Sequence, residues 1–385
     1  MSASYKHLFQ RSLAAAPDRL HFAAHSHHLW PDASYVGQIA AWQDAARLAD
    51  RKWGRVMEEL WPAAQHHVTH ELGLPDPASI AFAGNTHDFL IRIVSALGKS
   101  PVRILTSDGE FHSFRRQIAR WVEAGHVELE TVPVGEGFET AFLERALSGD
   151  HDLIFVSQVM FGTGRVTQGL DRLAALSRPE GPWLVVDGYH GFMAVETDLA
   201  PLANSAFYLS GGYKYAMAGE GVGILHAPPG FGARPEITGW YAEFDDLSLS
   251  TGQVGYAPDA RRFLGATFDP SGLYRFVAVR DMLADEGITT ATVSAYVAGL
   301  RDQLLGGLDD SPLGEAELLN PPGKGSQARF LAFRTPHAAK WQEMLAAQDI
   351  VTDVRADVLR IGFGLYHDQK DVAELLAVLG RLPTE

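Results

Sequence analysis

The chain has 385 residues, 46% hydrophobic and 21% charged, with a formal net charge of −15. This is globular composition, and its negative balance argues against nucleic acid or an anionic membrane as partner, since both need a basic face. There is no cysteine, which excludes disulfides, thiolate metal sites and thiol nucleophiles. With no basic-then-apolar leader and no apolar run near the ~18 residues of a membrane span, the expected location is the cytoplasm.

Residues 1–33 read as irregular, punctuated by Pro17 and Pro31 and carrying His25-Ser26-His27-His28. Residues 34–72 have apolar positions at three- and four-residue spacing and predict helix, with Pro62 as a break or a new first turn. Strands then alternate with helices. Strands are predicted at 80–83, 102–106, 127–134, 152–159, 183–187, 206–210 and 221–226, and helices up to 97 and at 112–124, 139–147 and 170–177. Repeated β-α units with apolar strands predict a mostly parallel sheet of seven strands covered on both faces. Ligands of such sheets bind at the carboxyl ends of the strands.

After Ala227 the texture changes. Pro228, Pro229 and Pro235 open a loop-rich stretch to which Trp240, Tyr241 and Phe244 give aromatic weight. Helices are predicted at 271–283 and 289–308, then strands at 327–334 and 358–363 around a helix at 338–347. A last helix at 367–379 has Gly380 placed to end it. The division expected is an N-terminal segment 1–33 packing on the small domain, a large α/β domain 34–270 and a smaller α+β domain 271–385.

Several polar residues stand just past strand ends. Lys214 lies in Ser210-Gly-Gly-Tyr-Lys-Tyr, with Gly219, Gly221 and Gly223 behind it. Glycines permit close backbone approach, and apolar, aromatic surroundings lower an amine's pKa as a Schiff-base lysine requires; a solvated lysine in a glycine turn has the same signature. Asp187 ends an apolar strand and either anchors a loop or holds a cationic ring nitrogen. Asn85 and Thr86 form a helix N-cap or a phosphate cradle, and Phe111 stacks on a planar ligand or fills core. Arg360, inside an apolar strand, needs a carboxylate, from a substrate or from an internal salt bridge. His66 and His70 at i, i+4 and the His25–His28 cluster raise a metal reading, but no HExxH accompanies them and no metal is expected.

Together these residues resemble the class V aminotransferase family of fold-type I pyridoxal phosphate (PLP) enzymes, and within it kynureninase, over residues 20–375. The resemblance implies that Lys214 is the Schiff-base lysine and that Asp187 pairs with the pyridinium nitrogen. His190 of the Asp-x-x-His lies close by, and Phe111 occupies the ring-stacking position. Asn85, Thr86, Tyr213 and Trp240 fall at cofactor positions, and Arg360 matches the carboxylate-binding arginine. Ser157-Gln-Val-Met-Phe-Gly-Thr-Gly164 resembles the strand and loop ending in Thr-Gly. Thr267 lies in Gly265–Pro270, where the family has a segment contributed by the partner subunit of a homodimer. The opening 21–31 resembles that of kynureninases, with His25-Ser26 in place of Asn-Ser at a substrate-contact position, and Phe114 stands where an aspartate is usual. The implied activity is hydrolytic cleavage of a Cβ–Cγ bond that leaves alanine; the alternatives are an aminotransferase or a PLP-binding protein without turnover. Cysteine desulfuration, a third activity of the family, needs the thiol this chain lacks.

Overall fold

A computed structural model describes residues 4–243, 250, 252–323 and 325–383. In chain order, β1 (Leu20–His21) lies in the N-terminal segment. β2 (Ile80–Ala83), β3 (Val102–Ser107), β4 (Val127–Val132), β5 (Leu153–Ser157), β6 (Trp183–Asp187), β7 (Ala206–Gly211) and β8 (Gly223–His226) form one sheet. β9 (Glu317–Leu318), β10 (Phe330–Arg334), β11 (Ile350–Val351), β12 (Asp353–Arg355) and β13 (Val358–Gly362) belong to the C-terminal part.

The large sheet has the order β2-β8-β7-β6-β5-β3-β4. Only β8 runs against its neighbours. β5 and β7 are continuous buried runs, which is what a strand covered on both faces requires. β4, at the edge, instead places Glu128 and Glu130 outward, and charge there blunts edge pairing. After β4 the chain crosses β3 to lay down β5 on its other side. The strand order therefore reverses between β3 and β5, and a ligand crevice forms beyond such a point.

The C-terminal sheet is antiparallel, in the order β12-β13-β10-β9. β1 pairs with β11 and Ala23 bridges Gly362, so the N-terminal segment is sewn onto this part. That segment is less irregular than its sequence suggests. Lys6–Phe9 and Gln10–Ala14 are helical turns, ordered by burial of Leu8 and Phe9. The helix Asp32–Leu48 lies on the helix Ser271–Asp285. Gly37 is the point of closest approach, since a Cβ there would sit 2.5 Å from the Tyr274 carbonyl oxygen. Gly380 does cap the last helix, Gln369–Leu379, but with a right-handed φ of −64° rather than the left-handed turn its identity suggests. Among the described residues no helix is long and apolar enough to cross a membrane.

Candidate active site

The crevice holds a cavity of about 170 Å³ whose lining includes Asn85, Thr86, Phe111, Ser157, Asp187 and Lys214. Asn85 and Thr86 share the connection after β2, and each of the others comes from a separate strand end or the connection beyond it. Lys214 sits between β7 and β8, in a loop shaped by crowding. A Cβ at Gly211 would fall 2.1 Å from the Tyr189 hydroxyl, so only glycine leaves room for that ring. Three residues after Lys214, Met217 holds a left-handed φ of 56°, a conformation uncommon for a non-glycine residue.

The Lys214 side chain is buried. Its Nζ lies 2.5 Å from His190 Nε2, 5.1 Å from the ring centre of Tyr189 and 5.5 Å from that of Phe111. Burial pushes its pKa down to about 7, against the opposing pull of Asp187. His190 is driven well below its ordinary range, first by burial and then by Lys214. Its Nδ1 is buried without a hydrogen-bond partner among the described residues. Asp187, partly open to the cavity, accepts a 2.9 Å hydrogen bond from the Tyr189 N–H. Burial raises its pKa, while that N–H and Lys214 oppose the rise.

Asn85 caps the helix Thr86–Ser95, its side chain accepting from Asp88 N at 3.0 Å. Asn85 is thus the N-cap, and the remaining first-turn amides have no intrahelical acceptor. Phe111 packs edge-on against Phe161 at 5.4 Å between centroids. Tyr213 lines the cavity and is stacked by His27 at 4.8 Å.

Other sequence candidates do not line this cavity, although Arg360 acts on Lys214 and His190 beside it, and His25 on His190. The Arg360 guanidinium is ion-paired with Asp353, its partner across β12 and β13, and donates to the Phe161 carbonyl. In this chain the internal salt bridge is formed. His25 is fully buried, stacked on Phe330 at 4.6 Å, with Nε2 3.7 Å from Asp353 Oδ2. Ser26 Oγ is within 3.4 Å of His27 Nδ1. Trp240, 45% exposed, donates from Nε1 to Thr267 Oγ1 at 3.2 Å, and neither residue lines the Lys214 cavity. Phe244, the other end of the aromatic stretch, lies outside the described residues. His66 and His70 are exposed, and no group of metal-ligating side chains occurs among the described residues. Sequence reasoning missed Tyr189, Asp353 and Glu110. The first follows Asp187 by two positions and could have been found from that spacing; the acids carry no local signal separating them from surface carboxylates.

The aminotransferase class-V family profile matches residues 52–375. The chain belongs to the class-V aminotransferase family. Isopenicillin N epimerase of Streptomyces clavuligerus is 26% identical over 330 residues, covering 80% of this chain and 81% of that protein. A probable cysteine desulfurase of Pseudomonas aeruginosa is 25% identical over 383 residues, covering 90% and 88%. Among solved structures, a C-DES variant with glycine covalently linked to PLP superposes with a TM-score of 0.82 at 18% identity, over 99% of this chain and 100% of that one. The fold is thus the fold-type I PLP transferase fold, and PLP is the family's cofactor. The residues present fit that group. An amine of lowered pKa, a carboxylate, an aromatic ring and a helix N-terminus converge on one cavity, and a buried imidazole nitrogen beside it is unsatisfied among the described residues.

Proposed function

We propose that this PLP-dependent family member acts on an amino acid as a hydrolase of kynureninase type, cleaving a Cβ–Cγ bond. The reading rests on the buried Lys214 amine, held near neutrality beside Asp187, His190 and Phe111. Bound PLP supplies an electron sink for charge developing on the substrate carbons. Lys214 would hold that group through its amine and would serve as the base that moves the proton at the substrate's Cα. Asp187 would favour positive charge on the ring nitrogen, and Phe111 would pack against the ring. Asn85, Thr86 and Tyr213 hold the phosphate at the helix N-terminus. Trp240 and Thr267 reach the same phosphate from the partner subunit of a homodimer.

Arg360 takes the substrate carboxylate in its planar fork, flanked by His25 and Ser26, and shares or releases Asp353 to do so. Phe111 supports the kynureninase type, since that is the residue of the resemblance at this position. The missing cysteine removes the persulfide route. In the net reaction one water is consumed: its hydroxyl goes to the acyl carbon and a proton to Cβ, leaving alanine and a carboxylic acid.

The test is direct. Protein loaded with PLP is incubated with kynurenine and with 3-hydroxykynurenine, and alanine is measured. Alanine release supports the proposal. Amination of an added keto acid without alanine replaces the hydrolase by an aminotransferase, and failure to take up PLP overturns the whole reading.

A further inference from the structure

Behind the cavity lies a carboxyl group that the reaction above does not use. Glu110, immediately before Phe111, is fully buried. It sits over the carboxyl ends of β3 and β5, at the reversal of strand order. Ser107 Oγ donates to its Oε1 at 2.5 Å, and the Ser157 N–H donates to the same oxygen at 3.2 Å. Among the described residues the other oxygen, Oε2, meets Ser157 Oγ alone, at 2.5 Å, an O–H···O contact in which Ser157 donates to an ionised Glu110 and accepts from a neutral one. No cation pairs with Glu110 among the described residues. The charged group acting on it is Asp187, on the neighbouring strand, whose register partner is Ser157.

The two oxygens are not equivalent. Oε1 has two donors and behaves as a carbonyl oxygen. Ser107 Oγ accepts from Gly109 N at 3.2 Å and lies 3.9 Å from Met160 Sδ, so Oε1 is the one oxygen acceptor for its hydrogen among the described residues. Oε2 has a single neighbour among the described residues, and an ionised carboxylate there would add a second buried negative charge beside Asp187, which faces Lys214, while no cation pairs with Glu110 itself. We propose that Glu110 is held as the neutral acid and donates its proton to Ser157 Oγ, which turns the Ser157 hydroxyl into the cavity as a hydrogen-bond donor to the bound cofactor. Glu110 is then a positioning residue, acting through Ser157. It also leaves Asp187 as the carboxylate free to ionise at the cavity wall. Burial raises the Glu110 pKa to about 7, against the pull of its hydrogen bonds with Ser107 and Ser157, with Asp187 adding to the rise.

The inference rests on PLP occupying this cavity, and its test separates the two. Infrared spectra of the apoprotein at about pH 6 are compared for wild type and Glu110→Gln. A protonated-carboxyl C=O band missing from the variant supports the proposal, and identical spectra overturn it, whatever the cofactor does. PLP affinity is then titrated by absorbance. Glu110→Ala and Ser157→Ala each weaken binding about tenfold, the cost of losing one buried hydrogen bond. The double variant is no weaker than either, because both remove the same donor. Glu110→Gln, which keeps a neutral donor toward Ser157, restores affinity. Additive losses, or a Gln variant as weak as the Ala variant, overturn the proposal. Wild-type protein that binds no PLP refutes the cofactor reading and leaves the infrared result to decide the proton on Glu110.

Discussion

Lys214 Nζ and His190 Nε2 are 2.5 Å apart, both on buried side chains. Two cations cannot share that contact, and burial depresses both groups. The Lys214 pKa falls from 10.5 to about 7, so the folded chain binds this proton less tightly than the unfolded chain. The favourable contribution is complete above the unfolded value and is lost as pH falls toward the folded one. Lys214→Met should therefore raise the melting temperature of the apoprotein by several degrees at about pH 6 and by little at about pH 10. A gain equal at both pH values would mean that the amine is solvated.

Arg360 and Asp353 face each other across two short strands, with His25 close to the same carboxylate. Asp353→Asn leaves a buried guanidinium without its charge partner. Loss of one partner from a buried pair costs about 3–5 kcal/mol, and urea denaturation of the apoprotein should show a loss of that order. If Arg360 also serves substrate, the variant frees it, and the KM for an amino acid substrate should fall while stability drops. Unchanged stability would show that the pair is solvated.

How much of this was legible beforehand depends on locality. β5, β6 and β7 are continuous apolar runs, and the glycines around Lys214 announce close backbone packing, so the sheet and its lysine could be read directly. β9, β11 and β12 are two or three residues long and exist only because partner strands distant in the chain or beside them hold them, which no local pattern records. The same holds for Arg360. Its strand requires a partner, but whether a substrate or Asp353 supplies it depends on a pairing seven residues upstream. Glu110 looks like any loop acid until Ser157, far along the chain, closes over it.

The absence of cysteine makes a clean discrimination from a desulfurase. Incubation of the PLP-loaded protein with cysteine should give no protein-bound persulfide, detected by mass spectrometry of the intact chain. Sulfur retained covalently on the chain would require a nucleophile that this sequence does not contain.

Trp240 and Thr267 bond to each other away from the Lys214 cavity of their own chain. If they serve a partner subunit's phosphate site, the defect of one subunit should be repaired by another. Lys214→Ala and Thr267→Ala proteins, each unable to give a borohydride-trapped PLP adduct of normal yield, are mixed under conditions that exchange subunits. In a twofold-symmetric dimer, every mixed pair contains one site with both an intact lysine and an intact partner threonine. Random exchange makes half the dimers mixed, so about a quarter of all sites should recover. Recovery would place Thr267 in the neighbouring site. A mixture that does no better than the average of its parents would mean that each subunit builds its site alone, and that the exposed indole of Trp240 needs another explanation.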